Sequence, residues 1–96
     1  MMKFGMQVVM TANKDKGDEL AKLMQKASQL VSDIKACEFY LVQLSTSEDD
    51  TVLITEVWQS QEDHQASLLN ADVRELIAKA KPLIAGMSYH KGRPLE

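Results

Sequence analysis

The sequence predicts an α+β domain in the order strand, helix, two strands, helix, strand. Three observations predict it. Lys3 to Thr11 alternates with period two, Leu20 to Ile34 carries an apolar stripe at helical spacing, and Val52 to Leu69 passes from a β-branched run through a serine into a helix. The whole chain, residues 1–96, reads as one domain, with 91–96 a tail.

The first strand places Phe4, Met6, Val8 and Met10 on one face and Gly5, Gln7, Val9 and Thr11 on the other. Asn13 to Asp18 is a turn and helix start, with Asn13 or Asp15 as the expected N-cap and acidic Asp18 and Glu19 in the first turn. Leu20, Leu23, Met24, Ala27, Leu30, Val31 and Ile34 form the apolar stripe of a helix about five turns long, which covers one face of a sheet. Ala36 to Ser45 is the second strand, with Phe39, Leu41 and Gln43 opposite Tyr40, Val42 and Leu44. A polar loop, Ser45 to Asp50, joins it to a third strand, Val52 to Trp58, as a hairpin. Both hairpin strands are apolar on both faces. The long helix covers one face; the other needs a second cover, and in a short chain that cover is a second copy of itself.

Ser60 and Asp63 form a capping-box pattern, Ser60 accepting from the Asp63 amide and the Asp63 carboxylate reaching back to the Ser60 amide. A short helix runs on to about Leu69. After a break at Asn70 to Asp72, with Asp72 as expected cap, Val73, Leu76, Ile77 and Ala80 form the apolar face of another helix that Pro82 ends. Leu83 to His90 is the last strand, with Gly86 a candidate bulge. This βαββαβ string is the ferredoxin-like arrangement, a four-stranded antiparallel sheet with helices on one face.

Composition narrows the function. Lys and Arg number 11 against 14 Asp and Glu, a net charge of −3 with no basic stripe, so nucleic-acid binding is not expected. No apolar run approaches the roughly 20 residues that span a bilayer, so no membrane partner is expected. The N-terminus carries no signal-peptide pattern, and the single cysteine, Cys37, fits a reducing, cytoplasmic setting. His64 and His90 lie on different elements and Cys37 is distant from both, so no metal site is expected; no glycine-rich loop cradles a phosphate. Cys37 reads as a buried free thiol. Trp58 is either a core or interface aromatic or the flat wall against which a ring stacks. His64, six residues on, is either an exposed helix residue or a base near neutral pKa. Tyr40 and Tyr89 carry hydroxyls able to bind a substrate.

The run Thr55-Glu56-Val57-Trp58-Gln59-Ser60-Gln61-Glu62-Asp63-His64-Gln65-Ala66-Ser67-Leu68 resembles the signature of the antibiotic biosynthesis monooxygenase family: a Glu-x-Trp strand end, a Ser-x-Glu helix start and a polar, histidine-bearing helix. Cys37-Glu38-Phe39-Tyr40 is similar to the family's Cys-x-x-Tyr second strand, and Ala78 to Gly86 is similar to its entry into the last strand. The resemblance implies a homodimer whose two sheets pack face to face as a dimeric α+β barrel, and a cavity between sheet and helices in each subunit. It also implies oxygenation of quinol-like or anthrone-like aromatics by dioxygen, with no flavin, metal or haem as cofactor. On this chain it makes Trp58 the pocket wall and His64 the candidate base. Asn13 resembles an asparagine near the end of the first strand in some members, a position that also suits a helix cap.

Two positions depart from the pattern. Ser67 stands nine residues after Trp58, where many members carry a histidine, and this disfavours haem degradation; Lys35-Ala36 replaces a Pro-Gly before the second strand. The expectation is a cofactor-independent monooxygenase acting on a small aromatic molecule, with His64, Trp58 and Asn13 catalytic and Trp58, Tyr40 and Tyr89 binding substrate. The alternatives are a non-oxidative isomerase or cyclase on the same fold, and a ligand-binding or stress-response module without turnover.

Overall fold

The computed structural model describes residues 2–95. It has the expected ferredoxin-like α+β order: β1 (Phe4–Ala12), α1 (Gly17–Val31), β2 (Cys37–Leu44), β3 (Thr51–Trp58), α2 (Gln61–Ser67), α3 (Ala71–Ala80), a 3-10 turn (Lys81–Leu83) and β4 (Ile84–Gly92). The strands form one antiparallel sheet in the order β2-β3-β1-β4. Glu96 of the anticipated tail lies outside the described residues. Lys91 and Gly92, expected in that tail, instead continue β4, because Gly5 and Met6 of β1 still offer them partners.

Alternation decides what is buried. On the face beneath the helices lie Phe4, Met6, Val8 and Ala12 of β1 and Val52, Ile54, Glu56 and Trp58 of β3. Leu20, Met24, Ala27 and Val31 of α1 and Val73 and Ala80 of α3 close over them. Trp58, Leu20, Ile54 and Val52 are the largest fully buried side chains. Each such apolar side chain stabilises the fold by about 1.5–3 kcal/mol. The opposite sheet face carries no helix. Phe39 and Leu41 of β2 fall on it and are 48% and 40% exposed, beside half-buried Val9, Leu53 and Val57.

The rungs of the sheet set the geometry of the site. One rung on the helix side is Tyr40–Glu56–Met6–Lys91. The next is Val42–Ile54–Val8–Tyr89, and the third is Leu44–Val52–Met10–Met87. Beyond it the β1–β4 register shifts at Thr11/Ala12, so that Gly86 and Ile84 are paired and Ala85 is skipped. The irregularity thus sits beside Gly86, as a glycine in a strand suggests.

Three local expectations are corrected. Neither Asn13 nor Asp15 caps α1. The carboxylate of Asp50, from the β2–β3 loop, accepts from the Gly17 amide and from the Asp15 amide, both at 3.0 Å. The Asp50 carbonyl also accepts from the Ala12 amide at 2.7 Å. Asp50 does this in a left-handed conformation, φ 53°. It packs so close that a Cβ on Gly17 would lie 2.7 Å from its Cα, which requires glycine there. Asp50→Ala is expected to lower stability by about 0.5–2 kcal/mol, as loss of an N-cap does, measurable by urea denaturation; unchanged stability would show that water replaces the cap. Second, α1 ends at Val31, and Ile34 packs against the core from the following turn. Third, α3 is capped by Asn70, whose side chain accepts from the amides of Asp72 and Val73, and not by Asp72.

Candidate active site

The β3–α2 junction forms as the sequence implies. Ser60 is extended, and its Oγ accepts from the Asp63 amide at 3.1 Å. The Asp63 carboxylate accepts a hydrogen bond from the Ser60 hydroxyl at 2.8 Å, where the sequence suggested the Ser60 amide. This cap starts α2 immediately after the strand and turns His64 back over the end of the sheet. The His64 ring lies 5.6 Å from that of Trp58, edge to face, and 5.4 Å from that of Phe4.

Between sheet and helices is a cavity of about 280 Å3. Trp58, His64, Glu56 and Tyr40 line one end; Met6, Val8, Ile54, Met24 and Val73 line its body; Met10, Met87, Ile84 and Lys81 line the other end. Trp58 is 0% exposed, so it forms the floor of the cavity and not its lip. The indole Nε1–H of Trp58 donates to Oε1 of Glu56 at 2.9 Å, and Nε2 of His64 lies 3.7 Å from the same oxygen. That last separation is too long for a hydrogen bond. It leaves the Glu56 carboxyl and the His64 imidazole as close neighbours at the end of the cavity. Oε2 of Glu56 makes no hydrogen bond among the described residues. None of their buried side-chain oxygens lacks a partner, so Oε2 opens on the cavity.

Burial governs the charges. It pushes the Glu56 carboxyl above its ordinary value of 4.5, although the Trp58 bond pulls the other way. It holds the His64 imidazole below 6.5, with the positive charge of Lys91 adding to the effect. Both shifts favour the neutral forms. Burial first, then the neighbouring Glu56 and Cys37, drive the Tyr40 hydroxyl well above the usual tyrosine range, which keeps it a neutral donor. Cys37 is half-buried; burial raises its thiol, while a 3.7 Å contact to the Phe39 carbonyl opposes the rise.

The structure thus brings together Trp58, His64 and Tyr40 of the residues singled out in the sequence. Tyr89 lines the same cavity from the edge strand, two residues along from Lys91 and 57% exposed. Asn13 does not join them. It follows the far end of β1, whereas Trp58 pairs with Phe4 at the near end. Nine strand residues, about 30 Å of chain, lie between, and Asn13 Nδ2 donates instead to the Pro82 carbonyl at 2.9 Å. The residue that sequence reasoning passed over is Glu56. The available signal was its parity with Val52, Ile54 and Trp58, which puts a carboxylate on the core face. Ser67, at the departure from the family pattern, is buried and donates its hydroxyl to the His64 carbonyl at 2.6 Å. Among the described residues no three His, Cys, Asp or Glu side chains cluster to hold a metal ion, and no helix is long and apolar enough to cross a membrane.

A ferredoxin-like sheet with a largely apolar cavity between sheet and helices, ending in a buried Glu–His contact, defines a small α+β protein. Residues 4–79 match the family model for antibiotic biosynthesis monooxygenase, and the chain belongs to that family. A candidate antibiotic biosynthesis monooxygenase of Chloroflexus aurantiacus is similar at 32% identity and a TM-score of 0.89, over 98% of this chain and 94% of that one. Candidate members from Deinococcus radiodurans (21% identity, TM-score 0.85, 97% and 93% covered) and Caulobacter crescentus (16%, 0.89, 99% and 92%) share the fold. No curated protein matches the chain.

Proposed function

We propose that this protein is a cofactor-independent monooxygenase that oxidises a small aromatic quinol with dioxygen. The observation that carries the reading is the Glu56–His64 contact at the end of an otherwise apolar cavity. A quinol hydroxyl placed against it meets neutral His64, which takes the phenolic proton. The Glu56 carboxylate, 3.7 Å away, then stabilises the imidazolium, and the contact tightens. The resulting phenolate is electron-rich. It passes one electron to dioxygen, the ring radical and superoxide join at a ring carbon, and loss of water leaves a hydroxyquinone. Quinol plus O2 gives hydroxyquinone plus H2O, so the substrate is its own reductant. Tyr40, held neutral, donates a hydrogen bond to the developing oxyanion, and the apolar walls exclude water from the radical pair. The test is incubation with 1,4-naphthoquinol under 18O2. One labelled oxygen in the product supports the reading. Conversion of substrate without oxygen points instead to an isomerase or cyclase using the same base, and binding without conversion points to a ligand-binding module.

The bare sheet face supports a proposal for the assembly. Phe39 and Leu41, with Val9, Leu53 and Val57, form an apolar surface of the kind that a second sheet can cover face to face. We therefore propose a homodimer closed as an α+β barrel. Light scattering is expected to give twice the chain mass at micromolar concentration, and Phe39→Lys with Leu41→Lys to give the monomer. A folded wild-type monomer at that concentration would contradict it.

A further inference from the structure

We infer that the ligand is an amphiphile: a phenolic or quinol ring at the Glu56 end, bearing an alkyl substituent that runs along the cavity and out beside β4. The inference rests on the reading of the Glu56–His64 end as the ring site.

Polarity along the cavity is one-sided. The rung that carries Tyr40 and Glu56 is its polar end. The next two rungs offer Ile54, Val8 and the Tyr89 ring, then Met10 and Met87. From Met6 to Met10 is about 13 Å, longer than one aromatic ring, so a ring held by Glu56 leaves the remaining length to something without hydrogen-bonding groups. Four of the chain's six methionines, Met6, Met10, Met24 and Met87, line it beside the aliphatic residues. Unbranched, polarizable thioethers adapt to a flexible chain better than to a rigid shape. The one lysine or arginine among the lining residues, Lys81, is exposed, and a long stem lets its ammonium stay in water.

The exit is apolar as well. Leu68, Met87 and Tyr89 line the cavity and are also 42%, 40% and 57% exposed, so the cavity reaches the surface there. A ligand made of a ring alone would leave this half of the cavity and its apolar rim unused.

Calorimetry with 4-alkylphenols from methyl to heptyl tests this without any oxidation. The dissociation constant is expected to fall roughly three- to fourfold per methylene until the chain reaches the rim. Leu68→Gln combined with Met87→Gln should weaken the long-chain phenols more than the methyl compound. A dissociation constant that is flat or rises with chain length overturns the inference, as does an equal loss for short and long chains in the double variant. Oxygen uptake is read separately. Uptake with unsubstituted quinols beside a flat chain-length series overturns this inference alone, whereas a steep series without uptake upholds it and overturns the monooxygenase reading.

Discussion

Trp58→Ala is expected to lower the unfolding free energy by about 3–5 kcal/mol, in a domain whose total is on the order of 5–15 kcal/mol. The indole is 0% exposed and is the largest fully buried side chain. It lies opposite Phe4 on β1, has Cys37 beside it on β2, and touches the His64 ring across the β3–α2 junction. Removal leaves a void under the site and strips Glu56 of its only hydrogen-bond donor among the described residues. Trp58→Phe fills most of the void but still withdraws the N–H, and is expected to cost about 1–3 kcal/mol. Denaturant titration followed by circular dichroism measures both. A cost below about 1 kcal/mol for the alanine variant would show that Trp58 is not a core residue. The consequence for function is direct: a loss of ligand binding in Trp58→Ala cannot be separated from loss of packing, so the site is better probed at Glu56 and His64.

At those two positions the expected effect falls on turnover. His64→Ala removes the proposed base and should reduce kcat by about 10²–10⁴-fold. Glu56→Gln keeps an acceptor for the Trp58 N–H but removes the charge that stabilises protonated His64, and should reduce kcat by at least about 10²-fold. Because the two act as a unit, the double variant should be no slower than the worse single one. Additive losses would place the two groups in separate steps.

The pH dependences follow from the direction of each shift. Wild-type activity should rise with pH as Glu56 ionises through a pKa above 4.5 and His64 loses its proton through a pKa below 6.5. Stability runs the other way for the carboxyl. Its folded pKa is raised, so the folded state holds the proton more tightly, and that contribution is full below 4.5 and lost as pH rises through the raised value. For His64 the folded pKa is depressed, so its contribution is full above 6.5 and lost as pH falls. Denaturation midpoints across pH should show Glu56→Gln without the loss on the alkaline side. A wild type and a variant with parallel profiles would mean that the Glu56 carboxyl titrates normally.

Much of this was legible in the chain. Period-two alternation in β1 and the stripe of α1 specified which faces are buried, and the Ser60 cap located the strand-to-helix corner that brings His64 onto Trp58. What was not legible came from contacts distant in sequence. Asp50 caps α1 across 33 residues, and no local pattern announces it. Asn13 has the chemistry of a site residue but stands at the wrong end of a nine-residue strand, a distance that only the antiparallel pairing with β3 reveals. Glu56 was hidden for the opposite reason. A carboxylate in a strand reads as a solvent-facing residue, and only its parity with Trp58 betrays that it faces inward. Such a breach of patterning, with one acid on an otherwise apolar face, is where a buried titratable group marks a candidate site.

The proposed role of the Glu56–His64 contact, activation of a phenol toward dioxygen, is tested most directly by oxygen consumption of the purified protein with 1,4-naphthoquinol, wild type beside Glu56→Gln and His64→Ala at one pH. Uptake is expected well above the uncatalysed rate for the wild type and near the uncatalysed rate for both variants. Equal uptake by all three proteins, whether fast or at background, would contradict it.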